Sequence, residues 1–300
     1  MNNATPCRVI SLISGIALAA PAAAFELDLE GSLGDDGFRR YVPPVSNPIF
    51  NETPYITTEL RPIYLHNEIP ESFPSQGGNI DVIAVGFRIA VTERLAIIGT
   101  KDGYADIDFD EALPDEAGFA NIALGAKYAL LSQPQEDRIL TVGLRYEPAT
   151  GDLETGGIQL QGGDSNGFID VFVTGALGLG KLGLQGSIGA NLALDNSHDT
   201  SRIHYSGHAD YELLPRFLPF VEFNGFTTID DAERTPFEFE GLDLVNFGAV
   251  NSDTAATFAT GARYTLTEHL RIGAGYEVPI TDEENSLIDW RVTTDIVISY

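Results

Sequence analysis

The sequence has almost no cysteine, few basic residues and no long apolar run in its body, and each shortage closes off a class of function. Cys7 is the single cysteine, and it stands in a stretch built like an export signal. Met1–Pro6 are polar, Arg8 supplies a positive charge, Val9–Ala20 are mainly apolar, and Ala22-Ala23-Ala24 are the small residues a signal peptidase accepts. Cleavage is expected after Ala24, leaving Phe25 as the mature start. Val9–Ala20 is too short for a membrane-spanning helix, which needs ~20 apolar residues. The mature chain then has no disulfide, no thiolate metal site and no cysteine nucleophile. Lys and Arg number 17 against 44 Asp and Glu, and removing Arg8 leaves 16 against 44, a formal charge of −28. A nucleic-acid surface needs clustered cations, so nucleic acid is excluded as a partner. Acidic chains are often disordered, but 43% hydrophobic and 10% aromatic content points to a folded one. With no long apolar segment after the signal, a helical membrane protein is excluded too.

What the sequence does have is alternation. In the last segment Ile288, Trp290, Val292, Thr294, Ile296, Ile298 and Tyr300 share one face, opposite Asp289, Arg291, Thr293, Asp295 and Ser299. A period of two is the mark of a strand. Twelve such segments are predicted: 55–66, 80–91, 95–107, 118–130, 138–148, 167–178, 182–194, 202–213, 217–228, 254–266, 269–280 and 288–300. The third alternates poorly after Gly99. Most approach or exceed the ~9–11 residues a tilted strand needs to cross a bilayer. Short links such as Thr92-Glu93-Arg94, Leu179-Gly180-Lys181 and Thr267-Glu268 alternate with longer ones such as 149–166 and 229–253. That order fits a closed antiparallel transmembrane β-barrel of about twelve strands, with short periplasmic turns and longer extracellular loops. The apolar faces are then expected to meet lipid, with Tyr128, Tyr146, Tyr211, Tyr264 and Tyr276 near the interfaces. Three regions result: a signal peptide at 1–24, a periplasmic lead-in or partial plug at 25–54, and the barrel at 55–300.

The ending Ile296-x-Ile298-x-Tyr300 resembles the C-terminal signal read by the outer-membrane assembly machinery, which the resemblance implies as a partner. The stretch Asp289-Trp290-Arg291-Val292-Thr293-Thr294-Asp295, with Ile56-Thr57-Thr58-Glu59 and Asp170, resembles a group of uncharacterised proteobacterial outer-membrane proteins. These are similar in turn to the putative transporters of the meta-pathway phenol-degradation family. The resemblance implies an outer-membrane location, among lipid and lipopolysaccharide, and fixes no solute.

Folding adjacent segments places Arg145 opposite Asp170 and Glu277 opposite Arg291, all on the polar face. Glu59, Arg61, Arg88, Lys127, Arg263 and Arg271 share that face. These charges form either a selectivity constriction or a structural ion-pair filling, and the sequence leaves both open. His204-x-Ser206 resembles the arrangement in outer-membrane phospholipases and lipid A deacylases, with Asn191 expected opposite His204 as a third member. Such a triad must face lipid, and parity turns these residues inward. The acidic loops around 106–116 and 230–253 have no calcium-loop spacing, the histidines no zinc spacing, and no metal or cofactor is expected. Passive transport of a small molecule through a charged lumen is the expected function. A lipid-modifying hydrolase and a structural or surface-interaction barrel stand as alternatives.

Overall fold

The computed structural model describes residues 27–232, 234–235, 239, 241–248, 254–282 and 286–300. The expected signal at 1–24 lies outside them, as do Glu233, Glu238, Glu240 and Asp253 of the second acidic loop. In chain order the strands are β1 (Glu59–Glu68), β2 (Gly78–Thr92), β3 (Leu95–Lys101), β4 (Tyr104–Phe109), β5 (Glu116–Phe119) and β6 (Ala123–Gln133). They continue with β7 (Arg138–Glu147), the short β8 (Glu154–Thr155) and β9 (Ile158–Gln159), β10 (Phe168–Leu179) and β11 (Leu182–Ala193). The last five are β12 (Ser201–Tyr211), β13 (Phe217–Asp230), β14 (Thr254–Thr267), β15 (Leu270–Pro279) and β16 (Trp290–Ser299).

All pairings are antiparallel, and β1 hydrogen-bonds to both β2 and β16, which closes the sheet on itself. β3 and β4 both pair with β2 and act as halves of one wall strand; β5 and β6 form the next in the same way. Twelve strands therefore make the barrel wall, and β8–β9 is a separate hairpin inside the loop after β7. Closure satisfies ladder amides and carbonyls that would find no water in hydrocarbon.

The weak alternation after Gly99 has a physical cause. The third wall strand breaks at Asp102–Gly103, and the Asp102 carboxylate accepts a hydrogen bond at 3.0 Å from the Val85 amide, which the ladder leaves unpaired there. Gly103 has φ +132°, and a Cβ on it would stand 3.0 Å from both the Ala84 Cβ and the Ile83 carbonyl, so only glycine fits the break. β1 begins at Glu59, four residues after the predicted start. Tyr55 and Ile56 instead belong to a segment that precedes the wall and packs with Phe38, Tyr41, Ala90, Ala96, Ala129 and Val297.

The outer surface is apolar. Ile83, Ile97, Leu124, Leu144, Ile188, Ile272 and Ile296 are exposed, as are the five tyrosines expected near the interfaces. An apolar belt of this extent would be an aggregation hazard in water and is the surface lipid accepts. Ile188, near the middle of β11, is 55% exposed. Ile188→Arg is expected to lower the unfolding free energy in phospholipid vesicles by about 2–4 kcal/mol, against a few tenths for a water-facing site. Guanidinium titration of the refolded protein measures it, and an unchanged midpoint would mean that this face does not meet lipid.

Candidate functional site: buried ion pairs around an inward segment

Every second residue of a barrel strand points inward, and here those positions carry charge. Arg61 on β1, Arg88 on β2, Lys127 on β6, Arg145 on β7, Arg263 on β14 and Arg291 on β16 are all buried. So are the acids they meet. Arg61 and Arg263 converge on Asp295, at 2.6 and 2.8 Å. Arg88 holds Glu59 at 2.7 Å and Glu52 at 2.6 Å, and Lys127 reaches the same Glu52 at 2.7 Å. Arg271 lies 5.2 Å over the ring of Tyr41, whose hydroxyl donates to Glu59, and it donates to the Ser299 hydroxyl at 3.0 Å.

These charges surround residues 41–55, which lie inside the barrel without joining its ladder. An extended stretch buried this way must find partners for its backbone groups elsewhere. The wall side chains supply them. Arg263 and Arg61 donate to the carbonyls of Pro43 and Pro44, at 2.9 and 2.7 Å. The amides of Val45 and Ser46 donate to Glu222 at 2.8 and 2.7 Å. Further along, Arg145, Ser187, Thr174, Lys127 and Thr141 donate to the carbonyls of Ile49, Phe50, Glu52, Thr53 and Pro54. Strands around most of the circumference thus hold one inner segment. The prolines suit it, because a residue with no amide hydrogen leaves none unsatisfied.

All ten lumen residues singled out in the sequence face inward. Asp170 stands opposite Arg145, and the two are bonded at 2.8 Å. Glu277 stands opposite Arg291, but their charged atoms are 3.7 Å apart. Arg291 is held instead by Asp243 at 2.7 Å and by Asn67 at 3.1 Å. Asp243 thus leaves the acidic rim to which its loop position assigned it and is buried at the mouth of the lumen. Sequence reasoning did not single out Glu52, Glu222 and Asp295 as site residues. Asp295 was visible on the polar face of the last strand, whereas Glu52 lies in a stretch with no period to read.

The expected His204–Ser206–Asn191 set is corrected. Asn191 stands opposite Arg202, and His204 stands opposite Gly189, a register two residues from the expected one. His204 Nε2 lies 2.7 Å from Asp170 and the ring packs on Phe50, while the Ser206 hydroxyl donates to Asn224 at 2.8 Å. A nucleophile needs its base within hydrogen-bond reach, and here the two side chains have separate partners. Both are buried inside the barrel and away from lipid.

No family model matches the chain, and no curated protein matches it. Among solved structures, an outer membrane channel from Pseudomonas putida F1 superposes with a TM-score of 0.59 at 14% identity, covering 87% of this chain and all of the other. The NanC porin aligns with a TM-score of 0.47 at 9% identity, over 81% of this chain and 98% of its own. Outer membrane phospholipase A from Escherichia coli aligns with a TM-score of 0.37 at 11% identity, over 82% of this chain and 97% of its own. The first match shows that the fold is that of an outer-membrane barrel.

Asp295 neutralises two arginines from different strands. Asp295→Asn is expected to cost about 3–5 kcal/mol, because it leaves Arg61 and Arg263 buried without a carboxylate. The denaturant midpoint of the refolded barrel is the measurement. A loss under 1 kcal/mol would show that water reaches these arginines.

Proposed function

We propose that the protein is an outer-membrane pore for small solutes, narrowed by its own inward segment and opened when that segment shifts. The observation that carries this reading is Glu52. One carboxylate on the inner segment bonds Arg88 on β2 and Lys127 on β6, so a single side chain ties segment to wall at two strands. Charged groups lining a confined passage screen solutes by sign and size. A wall of twelve strands is wider than the eight that side chains fill and narrower than the sixteen of an aqueous channel. The inner segment occupies the difference. The apolar belt supports an outer-membrane location among lipid and lipopolysaccharide. The aromatic C-terminal residue Tyr300 supports delivery by the barrel-assembly machinery. Kinship with the uncharacterised outer-membrane group that is similar in turn to the meta-pathway phenol-degradation transporters is part of the same proposal, resting on the likeness of residues 289–295 and 56–59 and of Asp170.

Single-channel recording in planar bilayers tests it. The wild-type protein is expected to show small, infrequent openings, and Glu52→Gln to raise open probability several-fold, since the lost charge weakens both links to the wall. Silence from folded wild-type and Glu52→Gln protein alike would make the ion pairs a structural filling and the barrel a sealed one.

A further inference from the structure

The fourth wall strand is interrupted between Phe119 and Ala123, beside the break at Asp102–Gly103 in the third. Regular pairing of the two strands stops at Lys101–Ala123 and resumes at Tyr104–Phe119. Between those points the Ala120 amide donates to the Gly103 carbonyl at 2.9 Å. The register also shifts between Gly99 and Lys101, and this bulge re-aims a side chain. Neighbours on a regular strand face opposite ways, yet Thr100 and Lys101 are both buried. Thr100 meets Arg145, and Lys101 meets Glu147, two residues further along β7.

Lys101, Asn121 and Glu147 form one buried cluster at this interruption. A single oxygen of Glu147, Oε1, accepts from the Lys101 ammonium at 2.5 Å and from the Asn121 side-chain nitrogen at 2.9 Å. Amine and carboxamide therefore lie side by side. The Asn121 carbonyl oxygen in turn accepts from two backbone amides, Thr150 at 3.0 Å and Gly151 at 2.8 Å. A Cβ on Gly151 would stand 2.6 Å from the Phe119 carbonyl oxygen, so the second amide reaches Asn121 because residue 151 is glycine. An ion pair needs the carboxylate alone. Here the carboxylate also holds the nitrogen of an amide whose carbonyl is polarised from its other side. Those are the parts of an acyl transfer: a nucleophile, a proton carrier, a leaving group, and two donors where the oxyanion develops.

We propose that Lys101 and Asn121 join in an intramolecular isopeptide bond, with Glu147 carrying the protons. Glu147 takes a proton from the Lys101 ammonium, and the freed lone pair attacks Cγ of Asn121. The Nζ–Cγ bond forms as the carbonyl pair moves onto Oδ1, where the Thr150 and Gly151 amides hold the negative charge. Glu147 returns its proton to Nδ2, the carbonyl re-forms and the Cγ–Nδ2 bond breaks. A second proton passes from the new amide nitrogen through Glu147 to the departing ammonia. An ammonium and a carboxamide thus become a secondary amide and an ammonium ion, with no oxidant and no co-reactant. All three side chains line a cavity of about 230 Å³ beneath the long loops, into which the ammonium ion leaves. The bond fastens the third wall strand to the fourth where their ladder is interrupted. It stands whether or not the barrel conducts.

Mass spectrometry of the protein extracted folded from outer membranes, and then denatured, tests it. The wild-type chain is expected to be one ammonia lighter than its mature sequence. Its tryptic digest is expected to contain a branched peptide joining Lys101 to Asn121. Lys101→Arg and Glu147→Gln, each shown to be folded by heat-modified gel migration, are expected to have full mass and no branched peptide. A succinimide at Asn166-Gly167 or Asn224-Gly225 also loses ammonia, but it leaves the chain unbranched and survives Lys101→Arg. Full mass in folded wild-type protein, or a loss of ammonia without the branched peptide, would overturn the bond. A branched peptide undiminished in Glu147→Gln would overturn the part given to Glu147.

Discussion

A backbone amide inside a bilayer has no water to fall back on, and most of this structure follows from that constraint. It forces the sheet to close through β1 and β16, and it fixes strand length at what the hydrocarbon requires. Closure in turn makes an interior, and alternation then sends one polar set of side chains into it. The same constraint governs the inward segment, whose carbonyls and amides are satisfied by arginines, threonines and a glutamate because no ladder is open to them. Even the break at Asp102–Gly103 obeys it, with a carboxylate standing in for the missing ladder partner of Val85.

The interior is inverted relative to a soluble protein, and this changes what the ion pairs cost. Burying a carboxylate or a guanidinium is expensive, and a lone pair of opposite charges often fails to repay it. The arrangement here spreads the expense by sharing. Asp295 serves two arginines and Glu52 serves an arginine and a lysine, so each of these two desolvated acids has two cations. Backbone carbonyls of the inner segment take up further guanidinium hydrogens. Segment and wall therefore solvate each other, in the place water would hold in a wide pore.

How much was legible in the sequence depends on whether a residue sat in a periodic stretch. Arg145 and Asp170 could be paired from the page because both lie on regular strands joined by one loop, and parity and fold-back determine the rest. Asn191 and His204 were misplaced by two residues because the register depends on where the β11–β12 turn begins, which hydrophobic pattern does not say. Asp243 looked like a rim acid because its loop has no period at all, and only the folded loop shows it turned onto Arg291. Glu52, which the proposed function leans on most, is invisible for the same reason. Regular geometry can be read from spacing, whereas a coil's contacts are set by the cavity it enters.

The inward segment runs directly into β1, which is one of the two strands at the seam. That placement puts the same side chains to two uses. Arg61 of β1 and Arg263 of β14 bond both the carbonyls of the segment and Asp295 on β16. Sealing the wall and filling it therefore draw on one set of contacts, and each is expected to stabilise the other.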